Sequence, residues 1–338
     1  MGSNGPTITG QTALRYIEEY PTTSNKTLAG LMYQDNKSIF SSVDHARAII
    51  RYWKGKTGDE NRKCLSDKSK ISENGLLNPF DALPDGKKEL GDYEHIQLFG
   101  NKFLVIGDAH IPYHERVPLQ VSLEAGYKEG VDHILIDGDF ADFYSVSFWE
   151  KDPRRRDFDE ELETLKEVLG IIRSGFPTAK ITYKLGNHEE RYIRYMRVKA
   201  AELLRVKAFD FKYITGANQL GIDIVDNKGI MKIGSLHVGH GHEFAGSAQS
   251  PVNPARGFYL KAKDHFLGAH FHRPSHHAET GISSDFTGVW SIGCLCNRHP
   301  EYAPNNQWAW GFAIVHKYDN KEFAVYNKKI IKGRVYPA

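Results

Sequence analysis

Cysteine is scarce in this chain of 338 residues, which contains only Cys64, Cys294 and Cys296. Three scattered cysteines cannot form a disulfide framework, so the composition favours a reducing compartment such as the cytoplasm. Cys294 and Cys296 are separated by one residue and have the spacing of half a metal site. Because a second cysteine pair is missing, we expect both to lie on a buried strand instead.

Long apolar runs and an excess of one charge are also missing. No stretch approaches the roughly 20 apolar residues of a membrane-spanning helix. The opening MGSNGPTITG has neither the charged start nor the apolar run of a signal peptide. The 44 basic and 42 acidic side chains leave a net charge of only +2. We therefore expect no membrane contact, and nucleic acid could bind only through local basic patches.

Length and composition predict two domains joined by a linker, since a domain commonly has about 150 residues. Residues 1–65 have helical patterns, and residues 66–95 are rich in Ser, Asn, Asp, Gly and Pro without periodicity. Residues 96–338 then form the larger domain.

Three short helices are predicted in residues 1–65, and together they resemble a helix-turn-helix module. The first ends at Pro21, the second is capped by one of the residues 22–24, and the third starts with a capping box from Ser41 to Asp44. The third helix also carries a basic stripe opposite its apolar face: Arg47, Arg51 and Lys54. This stripe is either a DNA contact or a solvated helix face.

Apolar strands alternate with helices in the larger domain. The order KFLVIG, helix, HILID, helix, KITYKLG predicts right-handed crossover units and a largely buried sheet. Further predicted strands are IMKIGSLHV, HFLGA, FTGVWSIGCL, WGFAIVHKY and EFAVYNKKII, the last two forming a hairpin.

Five of these strands end in a cluster of Asp, Asn or His beside a glycine. Ligands bind at the carboxyl ends of strands in α/β sheets, so five such ends can converge on one site. Any one of these residues could be a loop histidine or a helix cap, but five in one domain favour a shared site. They supply seven donors: Asp108, His110, Asp139, Asn187, His240, His270 and His272.

Seven donors are too many for one tetrahedral ion and suit two ions that share a bridging carboxylate. Mixed carboxylate and imidazole donors favour Mn, Fe or Zn over Ca. Two ions about 3.5–4 Å apart form a clamp for in-line attack at phosphorus, with a hydroxide between them as the nucleophile.

The motifs Asp-x-His, Gly-Asp-x-x-Asp, Gly-Asn-His-Glu, a single His before Gly, and Gly-x-His-x-His occur in this order. Together they resemble the calcineurin-like metallophosphoesterase family over about residues 103–274. The resemblance implies a four-layer αββα sandwich of two mixed β-sheets, here preceded by the small all-α domain. The whole arrangement is similar to family members from phages and mobile elements, which implies a bacterial or phage-infected host.

The resemblance also implies a role for each site residue. One metal takes Asp108, His110, His272 and the bridging Asp139, and the other takes Asp139, Asn187, His240 and His270. His188 protonates the leaving oxygen, and Asp142 orients its ring. Mn²⁺ is the expected metal, with Fe, Zn or Mg as alternatives. Of the neighbouring histidines, His237 packs in the strand, and His242 is a competing ligand or substrate contact.

Departures from the family pattern narrow the substrate. Phosphoprotein phosphatases of this family continue the second motif with Arg-Gly, where this chain has Phe143 and Tyr144. Arg191 could supply a phosphate-facing cation or form a salt bridge on the next helix. A nearby run of Arg154, Arg155 and Arg156 could bind a nucleic-acid backbone, although such runs are commonly only solvated.

A nucleic-acid phosphodiester is therefore the expected substrate, with DNA favoured over RNA. Two alternatives stay open. The protein could be a phosphomonoesterase or a small or cyclic nucleotide phosphodiesterase, or it could use the fold as a non-enzymatic assembly scaffold. The sequence does not indicate the oligomeric state.

Overall fold

The computed structural model describes residues 6–58, 86, 95–148, 152, 157–226, 228–244, 252–301 and 303–338. The chain divides into two compact units, residues 1–89 and 90–338. Most of the predicted linker lies outside the described residues, so its boundaries stay a prediction.

The described part of the first unit contains three helices: α1 (Ile8–Glu19), α2 (Asn25–Asp35) and α3 (Val43–Trp53). Their apolar faces form a separate core that includes Leu28, Met32 and Ile50. Ser24 caps α2 as expected, because its side chain accepts a hydrogen bond from the Thr27 N–H. The capping box predicted at Ser41 is wrong, since Ser42 caps α3 through the His45 N–H.

The second unit combines helices with thirteen strands among the described residues. The helices are α4 (Arg116–Glu129), α5 (Phe158–Gly175), α6 (Glu189–Lys199), α7 (Phe211–Ile214) and α8 (Pro254–Ala262). The strands are β1 (Ile96–Gln97), β2 (Lys102–Ile106), β3 (His133–Asp137), β4 (Lys180–Lys184), β5 (Asp223–Val225), β6 (Met231–Ile233), β7 (Leu236–Gly239), β8 (Phe266–Gly268), β9 (Ser275–Thr280), β10 (Phe286–Ser291), β11 (Gly311–Lys317), β12 (Phe323–Ile331) and β13 (Arg334–Pro337).

These strands form two mixed sheets. The seven-stranded sheet has the order β13-β12-β11-β2-β3-β4-β5, with β2 to β5 parallel. The six-stranded sheet has the order β1-β6-β7-β8-β10-β9, with β7, β8 and β10 parallel.

Alternating side chains produce four layers. On β2, Leu104 and Ile106 pack into the core under the helices, whereas Phe103 and Val105 face the core shared with the six-stranded sheet. On the far side of the six-stranded sheet, Phe258 of α8 packs on the strands. The fold is therefore an αββα sandwich preceded by the helices of the first unit.

Two details differ from the predicted strands. IMKIGSLHV is not one strand, because Gly234 adopts a left-handed φ of 63° and turns the chain between β6 and the antiparallel β7. Short strands β1, β5, β9 and β13 were not predicted, since two to six residues at sheet edges give weak patterns. Within the described residues, no helix has the length and apolar character needed to span a bilayer.

Candidate metal centre

The two sheets bring their polar strand ends together at one place. The loops after β2, β3 and β4 come from the seven-stranded sheet, and those after β7 and β8 come from the six-stranded sheet. The backbone N–H of His270 donates to Asp108 Oδ2 at 2.8 Å, which joins the two sheets at the site. The backbone N–H of His188 donates to Asp139 Oδ1 at 2.8 Å.

The first half-site consists of Asp108, His110 and His272. His272 Nε2 lies 3.2 Å from His110 Nε2 and 3.3 Å from Asp108 Oδ1. All three residues are buried. Donor atoms of Asp108, His110 and Asp139 also lie within 4.8 Å of one another.

The second half-site brings His240 and His270 together beside Asp139. Asn187, the predicted third ligand, directly precedes His188, whose N–H contacts Asp139. His240 Nε2 lies 3.2 Å from Asp139 Oδ2 and 3.3 Å from His270 Nδ1. Asp139 therefore belongs to both halves, as a bridging carboxylate requires.

Donor spacing fits bound cations. Atoms that bind one ion at about 2.1 Å lie about 3.0–3.5 Å apart in tetrahedral or octahedral geometry, and the contacts between donors in each half-site fall in that range. The buried oxygens Asp108 Oδ1 and Asn187 Oδ1 have no hydrogen-bond partner among the described residues. Unsatisfied buried acceptors of this kind suit metal ligation. The residues present thus fit two divalent ions.

Charge balance supports the same fit. Burial alone would lower the pKa of His240, but the charge of Asp139 and its hydrogen bond raise that pKa well above its ordinary value. Burial, followed by the charge of His240, lowers the pKa of His270 to about 4. The imidazoles of His110, His240, His270 and His272 lie too close together to be protonated all at once. Divalent ions would supply the positive charge in place of their protons.

The ligand loops adopt left-handed backbone conformations that non-glycine residues rarely use. Five of the seven predicted ligands have positive φ values between 45° and 70°: Asp108, His110, Asp139, His270 and His272. Such strain concentrates at functional sites. Gly186 is required for close approach, because a Cβ there would overlap Asp139.

Asp142 joins His188 to the first half-site. Its Oδ1 accepts from His110 Nδ1 and from His188 Nδ1, both at 2.9 Å. Hydrogen bonding of Nδ1 to a carboxylate leaves Nε2 of His110 free to bind a metal. Burial opposes ionisation of Asp142, but the two histidines hold the pKa of its carboxyl well below the usual range.

Arg191 completes this group. Its guanidinium donates to His188 Nε2 at 2.8 Å and to the Asp142 carbonyl at 2.9 Å. Burial would lower the pKa of His188, but the charge of Asp139 and the hydrogen bond to Asp142 raise it above its ordinary value.

Glu189 organises the centre, and sequence reasoning assigned it no role. This fully buried carboxylate accepts backbone N–H groups of residues 139, 140, 141 and 186, and also the Tyr183 hydroxyl at 2.7 Å. It therefore fixes the loop of the bridging Asp139 to the loop of Asn187. The signal was its place beside His188 in the Gly-Asn-His-Glu motif.

A buried ion pair holds the His240 loop, and it too was missed. Glu243 accepts the N–H groups of His240 at 3.1 Å and Gly241 at 2.6 Å, and it pairs with Lys184 Nζ at 3.0 Å. Burial opposes ionisation, but the charge of Lys184 lowers the pKa of Glu243 to about 2. Nδ1 of His240 bonds to the Asp137 carbonyl at 2.7 Å, which directs Nε2 towards Asp139.

Other predicted site residues lie elsewhere. His242 turns towards α6, where its Nε2 lies 3.1 Å from Glu190 Oε1. In the first unit, Arg47 and Arg51 are exposed, and Lys54 is half-buried just after α3. The run Arg154, Arg155 and Arg156 lies outside the described residues.

A family model described as calcineurin-like phosphoesterase matches residues 101–293, which is more than half of the chain and includes every donor above. The chain belongs to the calcineurin-like phosphoesterase family. No curated protein sequence matches it significantly.

Several solved structures are similar to this chain, although only distantly. A single mutant of Vps29 from Entamoeba histolytica is 15% identical, with a TM-score of 0.37, over 70% of this chain and 96% of that one. A dimetal phosphatase from Danio rerio is 11% identical, with a TM-score of 0.32, over 67% and 95%. The phosphoesterase Yfce from E. coli is 16% identical, with a TM-score of 0.32, over 66% and 97%.

Proposed function

We propose that this protein is a dinuclear metal-dependent phosphoesterase that hydrolyses phosphodiesters, with nucleic acid as the substrate class. The observation that carries the proposal is the convergence of Asp108, His110 and His272 on one side of Asp139 and of His240 and His270 on the other. Two bound divalent ions, of which Mn²⁺ is our first choice, would neutralise phosphoryl charge and lower the pKa of water. Asp108, His110 and His272 would hold one ion, Asn187, His240 and His270 the other, and Asp139 both.

His188 is the acid that protonates the leaving oxygen in this proposal. Its ring is held by Asp142, and its Nε2 lies 3.8 Å from Asp139 Oδ2, beside the bridging position. Arg191 lies 2.8 Å from that Nε2 in the substrate-free protein, and its charge opposes protonation of the ring. A phosphate oxygen would draw the guanidinium away, which frees Nε2 to carry and transfer a proton.

The single arginine beside the site, Arg191, suits a diester substrate better than a monoester. Phe143, which stands where phosphoprotein phosphatases have an arginine, is 1% exposed and packs against Phe158, Tyr192 and Phe211. Arg191 is therefore the guanidinium closest to His188 among the described residues. A diester carries one negative charge and a monoester up to two, so a single arginine matches the diester.

Trp308 supports a nucleotide substrate. Its half-buried ring lies edge-on to the metal-site residue His272, with centroids 4.1 Å apart. Asn306 fixes this loop, since its Oδ1 accepts the Trp308 N–H at 2.8 Å and its amide donates to the Ala303 carbonyl at 2.7 Å. An indole held beside the reacting phosphate can stack on a base.

A panel of phosphoesters tests the function with Mn²⁺-loaded protein. We expect thymidine 5′-p-nitrophenyl phosphate, bis-p-nitrophenyl phosphate and DNA to be hydrolysed faster than p-nitrophenyl phosphate. In Trp308→Ala, KM for the thymidine ester should rise by about tenfold, which corresponds to one stacking contact. Methyl p-nitrophenyl phosphate and Trp308→Phe are the controls, and neither should show this rise.

The other outcomes of this panel are equally informative. Preference for p-nitrophenyl phosphate would assign a phosphomonoesterase, and preference for cyclic nucleotides a small-nucleotide phosphodiesterase. Metal-loaded protein that hydrolyses none of these esters would contradict an enzymatic role and favour an assembly function.

A further inference from the structure

Two buried cysteines lie beside the first half-site and have no part in the proposed function. Cys294 is 0% and Cys296 3% exposed, and both are free thiols. Their segment runs along the loop that carries Asp108: the Leu295 N–H donates to the Asp108 carbonyl at 3.0 Å. Cys296 itself forms an antiparallel bridge with His114.

The thiol of Cys296 belongs to a cluster of possible ligands. Its Sγ and one ring nitrogen each of His110 and His272 lie within 4.8 Å of one another, and all three residues are buried. Atoms that share an ion through one Zn–S bond of about 2.3 Å and Zn–N bonds of about 2.1 Å fall within this distance.

A second observation points to a cation at the same place. Asp108 Oδ1 is buried without a hydrogen-bond partner among the described residues, and it lies 3.3 Å from His272 Nε2. A divalent ion between this carboxylate oxygen and the two imidazoles would bind all three groups.

We propose that the thiolate of Cys296 is a further ligand of the metal ion at the first half-site. The thiol proton leaves to solvent when the metal–sulfur bond forms. Sulfur changes the metal preference, because thiolate and imidazole suit zinc or iron(II), whereas carboxylate and water suit manganese or magnesium. The first half-site would then bind zinc or iron(II) more tightly than the second does, and both would still take up manganese when it is the only metal supplied.

Cys294 serves as the matched control, although its thiol and that of Cys296 share a hydrogen bond. Its Sγ lies 3.7 Å from the Ala309 carbonyl, to which it donates. Within the described residues, it belongs to no group of converging ligands.

Cobalt(II) substitution tests the assignment in the full-length protein, because a thiolate ligand to cobalt gives an intense near-ultraviolet charge-transfer band. We expect this band in the wild type and in Cys294→Ser, and its loss in Cys296→Ser. Cys296→Ser should also weaken zinc binding at one of the two positions by at least about tenfold. Circular dichroism should show both variants folded.

The proposal rests on metal binding by the proposed phosphoesterase, but the two can fail separately. A wild-type protein that binds cobalt without the band, or a band that persists in Cys296→Ser, would overturn thiolate ligation. Loss of the band in Cys294→Ser would indicate that Cys294 is the ligand, and this result would also overturn the assignment of Cys296. If the band appears but the protein hydrolyses no phosphoester, Cys296 remains the assigned ligand and the proposed catalytic function fails. If no cobalt binds, both proposals fail.

Discussion

The two half-sites achieve the same convergence of donors by different means. In the second half-site, buried carboxylates hold the backbone: Glu189 fixes the loops of Asp139 and Asn187, and Glu243 fixes the loop of His240. In the first half-site, Asp108, His110 and His272 all adopt left-handed backbone conformations, and Asp142 holds the His110 ring. Left-handed backbone also occurs at His270, so the halves differ in what the carboxylates hold: loop backbone in the second half and the His110 ring in the first.

This contrast implies that substitutions can lower the metal affinity of one half-site without lowering that of the other. Glu243 contacts the backbone of His240 and Gly241, so its loss should act on the second ion. Loss of Asp139, which faces donors of both halves, should affect the two ions together.

His188 belongs to neither half and should show the largest effect on turnover. Because its proposed role is proton transfer, we expect His188→Asn to reduce kcat by about 10²–10⁴-fold while both ions stay bound. Kinetics with bis-p-nitrophenyl phosphate and metal analysis of the same sample check this. Wild-type turnover in the variant would remove the residue from the mechanism.

Variants of His240 and His242 distinguish the predicted metal ligand from the histidine two residues away. We expect His240→Ala to lose the second ion and to reduce activity by about 10²–10³-fold, since charge stabilisation is lost. His242→Ala should retain both ions, because His242 contacts Glu190 instead. Metal content measured by mass spectrometry distinguishes the two, and an exchanged result would make His242 the ligand.

The buried Lys184–Glu243 pair is the means to weaken one half alone. In the double variant Lys184→Met/Glu243→Gln, affinity for the second ion should fall by about 10–100-fold, while the first ion is unaffected. The exposed pair Lys166–Glu163, with 2.7 Å between Nζ and Oε1, provides a control double variant of the same chemistry. Equal weakening of both ions would contradict a separate fixation of the two halves.

The first unit should have the smallest effect and leave both half-sites unchanged. If α3 contacts DNA, the exposed pair in Arg47→Gln/Arg51→Gln should weaken DNA binding and lower the salt-dependence slope by about two. The control Lys26→Gln/Lys37→Gln removes the same charge from exposed positions outside α3. Unchanged DNA affinity in the arginine variant would remove the basic stripe from the DNA-binding proposal.

The fold and the donors could be predicted from sequence because strand ends and motifs are local patterns. KFLVIG followed by Asp-Ala-His shows both a buried strand and the donors at its carboxyl end. The sequence does not show that the five ends belong to two sheets, since β7 and β8 pair only after the chain has folded. For the same reason, the pairing of Lys184 on β4 with Glu243 after β7 was invisible.

Predictions about single side chains were weakest where several partners compete. Ser41 and Ser42 both precede α3, and only the backbone conformation decides which one caps the helix. Cys296 was assigned to a buried strand because a second cysteine pair is missing, yet its neighbours in space are histidines from distant loops. Contacts between residues 110, 272 and 296 leave no trace in their spacing.

Metal stoichiometry in the wild type and in Asp139→Asn tests the shared centre most directly. After reconstitution with Mn²⁺ and removal of free metal, we expect two ions per wild-type chain and hydrolysis of bis-p-nitrophenyl phosphate. In Asp139→Asn, affinity for both ions should fall, because this carboxylate faces donors of both halves. One ion or none in the wild type, or a variant that retains two ions with unchanged affinity, would contradict a dinuclear centre bridged by Asp139.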